Sequence, residues 1–286
     1  MTGFPPRATV LIPAHDEAAV IARGLQPLAL GAAAGEFRLV VIANGCSDDT
    51  AARAREAAPA AMVLETDQPG KANALNLGLS RAAPDRPVIC LDADLVVAPA
   101  DLRALLAPLD RGEAAAACGV MVPQTGRSAP LVRAFYRAWL TNPYFARGKF
   151  GGVFALAPGA VPRVFPLPPV TADDEWIRRA FAPEEIAFVP ECRFLAMAPR
   201  DLGSLIRVRS RALRGARRVT ALGGAAPEAG SVWRMLRASM TQPARWADLA
   251  VFAAVMGIVR LRLALQPAQG PEPWERDLSS REGALP

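Results

Sequence analysis

In Val88-Ile89-Cys90-Leu91-Asp92-Ala93-Asp94-Leu95, four apolar residues follow Pro87 and run into two carboxylates one residue apart. An uninterrupted apolar run of this length predicts a strand buried on both faces, as in a parallel sheet. Open α/β sheets place their ligands at the carboxyl ends of such strands, where Asp92 and Asp94 stand. Two negative charges there need a positive partner. A divalent cation suits hard oxygen donors and can in turn hold the phosphates of a substrate. The alternative at this point is a solvated loop that happens to carry two acids.

The same grammar extends outward on both sides. Ala8 to Ile12 predicts a first strand, followed by Pro13-Ala14-His15-Asp16-Glu17 and a helix from Glu17 to about Leu30 capped by Asp16. Phe37 to Ala43 predicts a second strand, with Ser47 and Asp48 in the turn before a second helix, and Ala61 to Leu64 a third. Gly70-Lys71 opens a helix behind Pro69. Beyond the acid pair come a helix from about Ala100 to Arg111 and a strand from Ala114 to Val122. Leu131 to Tyr144 reads as a helix on the acceptor side of a cleft, and Lys149 to Leu156 as paired glycines leading into a strand. Two short apolar runs, Ile186 to Val189 and Arg193 to Met197, close the α/β part. Helices are expected at Gly230 to Met240 and Ala244 to Leu265, and a loose polar tail from Gln266. Alternating strands and helices of this kind predict a wound, mainly parallel sheet flanked by helices.

Composition narrows the class. The 286 residues are 52% hydrophobic and carry a formal net charge of +6. Seven arginines between Arg200 and Arg218 face one acid, Asp201, a cluster that suits phosphate or an anionic lipid surface. Nucleic acid is not expected, because no zinc-finger or basic-zipper spacing accompanies the basic residues. Cys46, Cys90, Cys118 and Cys192 are dispersed, with no metal-site spacing, and fit a reducing, cytoplasmic setting. Met1 to Arg7 lacks the apolar core of a signal peptide. Leu249 to Val259 is an apolar run of 11 residues, short of the ~20 that a membrane span needs, and predicts a buried or interfacial helix.

Several residues invite a chemical reading beside a plain one. Lys71 in the first turn of a helix opposes the helix dipole, so it is either a solvated lysine or one aimed at a phosphate. Gly151 and Gly152 are either an ordinary turn or a place where backbone approaches something bulky. Thr171-Ala172-Asp173-Asp174-Glu175-Trp176 puts three acids at a helix start, where they either complement the dipole or include a catalytic carboxylate. His15 is the sole histidine, which excludes a histidine-based triad and a histidine-rich zinc site.

Taken in order along the chain, five stretches resemble glycosyltransferase family 2, nucleotide-sugar enzymes of the GT-A fold. They are Val10 to Glu17, Val41 to Thr50, Gly70 to Asn76, Leu91 to Asp94 and Thr171 to Trp176. The resemblance spans roughly residues 8 to 218. It implies Mn2+ or Mg2+ as cofactor, with Asp94 as metal ligand and Asp92 on the ribose or the metal. Pro13, Ala14, His15, Glu17 and Asn44 would line the nucleoside pocket, where the Asn44 amide could read a uracil edge. Lys71, Arg211 and Arg214 would add positive charge near the diphosphate, while Gly151, Gly152 and Trp176 fall on the acceptor side. Family members invert the anomeric centre with a carboxylate base from an acidic pair. Asp173 is the preferred counterpart and Asp174 the close second, since Ala172 replaces the usual glutamate in the first alignment.

The family's processive synthases carry Gln-x-x-Arg-Trp, and Arg207 to Gly215 lacks the tryptophan, so transfer of a single sugar is expected. The expected organisation is a GT-A domain over residues 1–222 and a C-terminal helical extension with a tail over 223–286. The implied partners are a nucleotide-sugar donor, first a UDP-sugar, and an acceptor that is a glycan, a lipid-linked species or a small molecule. Peripheral contact with the inner face of a membrane would suit a lipid acceptor. Two other readings are a catalytically silent nucleotide-sugar-binding module and a sugar-phosphate nucleotidyltransferase. Against the latter, the loop Pro13 to Glu17 contains no glycine.

Overall fold

The computed structural model describes residues 5–142, 150–224, 237 and 245–265. They pack as two compact units, one of residues 5–122 and 150–196, the other of residues 123–142 and the described part of 197–265.

The first unit is built on the sheet. Its strands are β1 (Ala8–Ala14), β2 (Phe37–Asn44), β3 (Met62–Thr66), β4 (Val88–Leu91), β5 (Ala116–Gln124), β6 (Val153–Leu156) and β7 (Ile186–Met197), in the order β3-β2-β1-β4-β6-β5-β7. β1 pairs in parallel with β2 on one side and β4 on the other, with Val10 opposite both Leu39 and Ile89. The run chosen from sequence as the central strand is therefore β4, and all four of its residues are buried. Its other neighbour, β6, runs antiparallel, pairing Phe154 with Cys90 and Val153 with Leu91. The sheet is mixed at this edge because the chain returns from Gly152 beside the acid loop instead of crossing over.

Helices cover both faces. They are α1 (Ile21–Gly31), α2 (Thr50–Ala57), α3 (Lys71–Leu79), α4 (Pro99–Asp110), the short α6 (Val161–Val164) and α7 (Asp173–Arg178). Alternation along the strands sorts the core. Val10, Ile12, Ile89 and Leu91 join Ile21, Leu25, Leu102 and Leu105 on one face. Leu11, Val88 and Cys90 join Leu75, Phe154 and Ile177 on the other. Strands buried on both sides have to be apolar throughout, which is why the sequence signal is a run and not an alternation.

Some boundaries differ from expectation. The first helix starts at Ile21, four residues after Glu17, and its N-cap residue is Val20, which gives no side-chain cap, in place of Asp16. Asp16 sits at φ 49° and turns its carboxylate to the Ser47 amide and hydroxyl. The two runs around Pro190 form one strand, β7.

The second unit contains α5 (Pro130–Trp139), α8 (Leu202–Ala221) and α9 (Trp246–Leu265). Asp201 caps α8, accepting from the Ser204 amide at 2.8 Å. Leu249, Phe252, Val255, Val259 and Leu263 are the buried side of α9, which packs on α5 and α8, with the Phe252 ring stacked 5.3 Å from Phe135. The Arg209 guanidinium lies 4.8 Å from the centre of the Trp139 ring. α8, placed with the sheet by the sequence reading, thus packs with α9. The helix expected at Gly230 to Met240, the tail from Gln266, and Tyr144 and Lys149 lie outside the described residues, apart from Arg237.

Candidate active site

Because β1 has its parallel neighbours on both sides, the carboxyl ends of β1, β2 and β4 open side by side, which is the switch point where wound sheets bind ligands. The loops leaving β1 and β2 are stitched together there. His15 Nδ1 donates to the Asn44 carbonyl at 2.6 Å, the Glu17 amide to Thr50 Oγ1 at 2.7 Å, and the Ala18 amide to Asp48 Oδ2 at 3.1 Å. A carbonyl only accepts, so the proton of His15 is on Nδ1.

Asn44 is buried at 1% exposure. Its amide nitrogen donates to the carbonyls of Ala14 (2.7 Å) and Ile42 (3.3 Å), and Oδ1 accepts from the Gly70 amide at 3.0 Å. An amide committed in this way has no edge left for a base, so the expected uracil contact is replaced by a structural one: Asn44 ties β1 to the start of α3. Pro13, Ala14 and Glu17 are likewise buried, so what this loop offers a ligand is chiefly the half-buried His15.

The acids gather around Lys71. Lys71 Nζ lies 2.6 Å from Asp92 Oδ1 and 2.9 Å from Asp173 Oδ1. Burial alone would pull the lysine pKa down, but the carboxylates of Asp173, Asp92 and Asp174 outweigh it and hold the ammonium well above its ordinary value. Lys71 is therefore neither solvated nor free for a phosphate; its charge offsets the helix-dipole penalty by joining β4 to α7. Asp173 is 1% exposed, and its Oδ2 is buried with no hydrogen-bond partner among the described residues. Burial, joined by the neighbouring charges of Asp174 and Asp92, raises its pKa to about 6 against the pull of Lys71. Asp174 beside it is half-buried, and its Oδ1 accepts from the Glu175 amide at 2.8 Å. Glu175 belongs to a different network, with Arg179 at 2.8 Å and Arg178 at 3.2 Å. Trp176 is half-buried and packs against the core with Ile177.

Asp92 also meets Gly152. The Asp92 amide donates to the Gly152 carbonyl at 2.9 Å, and a Cβ on residue 152 would fall 2.6 Å from Asp92 Oδ2. Gly152 has φ +93°, so both its conformation and its neighbour require glycine. Gly151 precedes it at φ 56°. Of the two glycines expected on the acceptor side, Gly152 thus touches the acid loop directly.

Asp94 is half-buried, and its carboxylate has no hydrogen bond or ion pair among the described residues. Its backbone carbonyl accepts from Arg23 Nη2 at 3.2 Å. Arg23 and its neighbour Gly24 were not singled out from sequence. Burial lowers the Arg23 pKa, and the charges of Asp94 and Glu17 oppose that. A Cβ on Gly24 would stand 2.9 Å from the carbonyl oxygens of both Ala93 and Leu95. The signal available in advance was a glycine inside a helical pattern, which marks close packing.

Among the described residues, one group of ligand-type atoms converges closely, Asp16, Cys46 and Asp48, within 4.8 Å of one another. Their oxygens already serve Ser47, Ala18 and Thr50, so the group reads as a loop tie. Asp92 and Asp94 do not form a closed cage; a cation held by them would complete its shell with substrate oxygens, as Mg2+ commonly does. Arg211 and Arg214 lie on α8 in the second unit, the first exposed and the second half-buried.

Known proteins answer to this arrangement. The model of the family described as glycosyl transferase family 2 matches residues 9–156, from β1 to the end of β6. The chain belongs to glycosyl transferase family 2. Membership makes it a glycosyltransferase, and its structural neighbours show the GT-A fold. One is a mannosyltransferase from Pyrobaculum calidifontis, in complex with GDP-Man and Mn2+. It is 22% identical with a TM-score of 0.58, over 91% of this chain and 79% of that one. Another is glucosyl-3-phosphoglycerate synthase from Mycobacterium tuberculosis, in complex with Mn2+, UDP-Glc and phosphoglyceric acid. It is 21% identical with a TM-score of 0.57, over 79% of this chain and 82% of that one. No curated protein sequence matches this glycosyltransferase. The matched region contains the loops of β1 and β2, Lys71, Asp92, Asp94 and Gly152; α7 with Asp173 and Asp174 follows it.

Proposed function

We propose that this glycosyltransferase moves a single hexosyl group from a nucleotide sugar, first a UDP-sugar, to an acceptor hydroxyl, with inversion and with the help of Mn2+ or Mg2+. The observation that carries this reading is the cluster at the carboxyl end of β4. Asp92, Asp173 and Asp174 meet one lysine, and the Asp94 carboxylate beside them has no hydrogen bond or ion pair among the described residues. Such an excess of carboxylates fits a hard divalent cation. Asp94, with Asp92 beside it, would hold the ion, whose charge would stabilise the departing diphosphate. The neighbours solved with Mn2+ and nucleotide sugars support the same cofactor and donor class.

The chain's own residues then hold and move a proton. Lys71 fixes Asp92 and Asp173 in place. Asp174 takes the proton from the acceptor hydroxyl, which attacks the anomeric carbon opposite the diphosphate. This reverses the order preferred from sequence, because a base must be reachable, and Asp174 is half-exposed while Asp173 is enclosed. A second reading keeps Asp173 as base, favoured by its unpartnered Oδ2 and its pKa of about 6. In either case Gly151, Gly152 and Trp176 border the acceptor. The acceptor is a glycan, a lipid-linked species or a small molecule, and the protein works in the cytoplasm with peripheral contact at the inner face of a membrane.

Donor binding and sugar transfer, measured separately on variants, test this. Asp94→Asn is expected to abolish Mn2+-supported donor binding. Asp174→Asn is expected to keep binding and lose transfer by about 100-fold or more. Full transfer by Asp174→Asn with loss in Asp173→Asn would install Asp173 as the base. Donor binding by the unaltered protein without transfer to any acceptor or water would favour a silent binding module, and consumption of nucleoside triphosphate a nucleotidyltransferase.

A further inference from the structure

α9 is apolar on the side it does not bury. Leu249, Phe252, Val255, Val259 and Leu263 face α5 and α8. At 100° per residue the opposite arc is centred near Leu261. Trp246 (57% exposed), Ile258 (46%), Leu261 (61%) and Leu265 (75%) lie there, and the rest of the arc is alanine and Gly257. A helix that is hydrophobic all round belongs in an interior, and among the described residues only one side of α9 has an interior.

Charge says what covers the other side. By the same rotation Arg260 and Arg262 fall on the two edges of the arc, Arg260 exposed and Arg262 half-buried. The single acid of the helix, Asp248, is half-buried and neutralised by Arg137, whose Nη2 is 2.6 Å away. Outward-facing charge on α9 is thus positive only. α8, in the same unit, carries further exposed arginines, Arg207, Arg217 and Arg218. Among the described residues, no helix is long and apolar enough to cross a membrane. An apolar arc edged by arginines, with a tryptophan at one end, matches a helix lying in the headgroup region of an anionic bilayer. A second copy of the chain would bring arginine edges against arginine edges, with no acid on the arc to meet them.

We infer that the outer face of α9 is a docking surface for an anionic lipid membrane. This rests on the peripheral location read above and names the surface and the lipid charge; it does not depend on the sugar chemistry. The test is co-sedimentation of the full chain with vesicles of phosphatidylcholine alone and of phosphatidylcholine rich in phosphatidylglycerol. Binding to the anionic vesicles only, weakened by salt, is expected. Arg260→Gln and Arg262→Gln should each reduce partition about fivefold. Ile258→Glu/Leu261→Glu should abolish it, while circular dichroism and melting show the fold retained; Leu261→Ser serves if the double variant does not fold. Absence of vesicle binding by the unaltered protein would remove the peripheral location itself. Binding that persists unchanged in the folded variants would leave that location standing and overturn the role of α9. A dimer that Leu261→Glu dissociates, without vesicle binding, would show that a second copy covers the face.

Discussion

Lys71 Nζ stands 2.9 Å from Asp173 Oδ1, with 15% of one side chain and 2% of the other exposed, so the first residue of α3 and the first of α7 are joined by a nearly buried ion pair. The same ammonium reaches Asp92 at 2.6 Å. Removing the lysine would leave a buried carboxylate without its cation. Lys71→Met is therefore expected to destabilise the fold by about 3 kcal/mol, since breaking a buried pair costs more than the pair contributes. Urea unfolding reads this directly, and a loss below about 1 kcal/mol would mean that the pair is solvated in solution.

A pH dependence follows from Asp173. Its pKa is raised by burial from the ordinary 3.8 to about 6, so between these values the unfolded chain has released a proton that the folded chain retains. Stability from this group is highest below pH 3.8 and declines as pH rises to about 6. In Asp173→Asn that decline should vanish from the profile of melting temperature against pH. Turnover should show an acid limb near pH 6, because Asp173 has to be charged to hold Lys71, and the limb should be absent in Asp173→Asn. An unmoved limb in that variant would assign it to another group.

Gly152→Ala tests the return loop. The new Cβ would sit 2.6 Å from Asp92 Oδ2 in a residue held at φ +93°. Strain of this kind costs about 1–3 kcal/mol. The expected result is a lower melting temperature together with weaker Mn2+-dependent donor binding, because Asp92 has to rotate away from Lys71. A lower melting temperature with unchanged Mn2+ dependence would mean that the acid loop is independent of Gly152.

Gly24→Ala tests the support behind Asp94. Alanine in place of glycine favours a helix by about 1 kcal/mol, so an isolated α1 would gain. Here the Cβ meets two backbone carbonyls at 2.9 Å and something has to move. The Mn2+ concentration for half-maximal rate should rise about tenfold, equivalent to ~1.4 kcal/mol. Arg23→Gln, which loses the bond to the Asp94 carbonyl, should shift it in the same direction. A more stable protein with an unchanged Mn2+ requirement would show that α1 does not position the acid loop.

The wound sheet and the acid pair are legible in the chain itself because their signals are local. A strand buried on both faces must be apolar along its length, and Val88 to Leu91 is; the strand must end in its ligand groups, and Asp92 and Asp94 follow at once. The order of the motifs then points to the family. What stays illegible depends on atoms far apart in the chain. Lys71 and Asp173 are separated by about a hundred residues, and no spacing rule foretells that the lysine is consumed by carboxylates. Asn44 looks like a reader of bases because its amide can both donate and accept; only packing discloses that Ala14, Ile42 and Gly70 use it up. Gly24 and Arg23 look like ordinary helix residues until the backbone of Ala93 to Leu95 is found against them. Sequence alone determined which residue types could bind a cation and a diphosphate, and at the end of which strand, because hydrophobic periodicity and chemical type are properties of neighbours in the chain. The tertiary structure decided which carboxylate is enclosed and which is reachable, because burial and ion pairing are properties of neighbours in space.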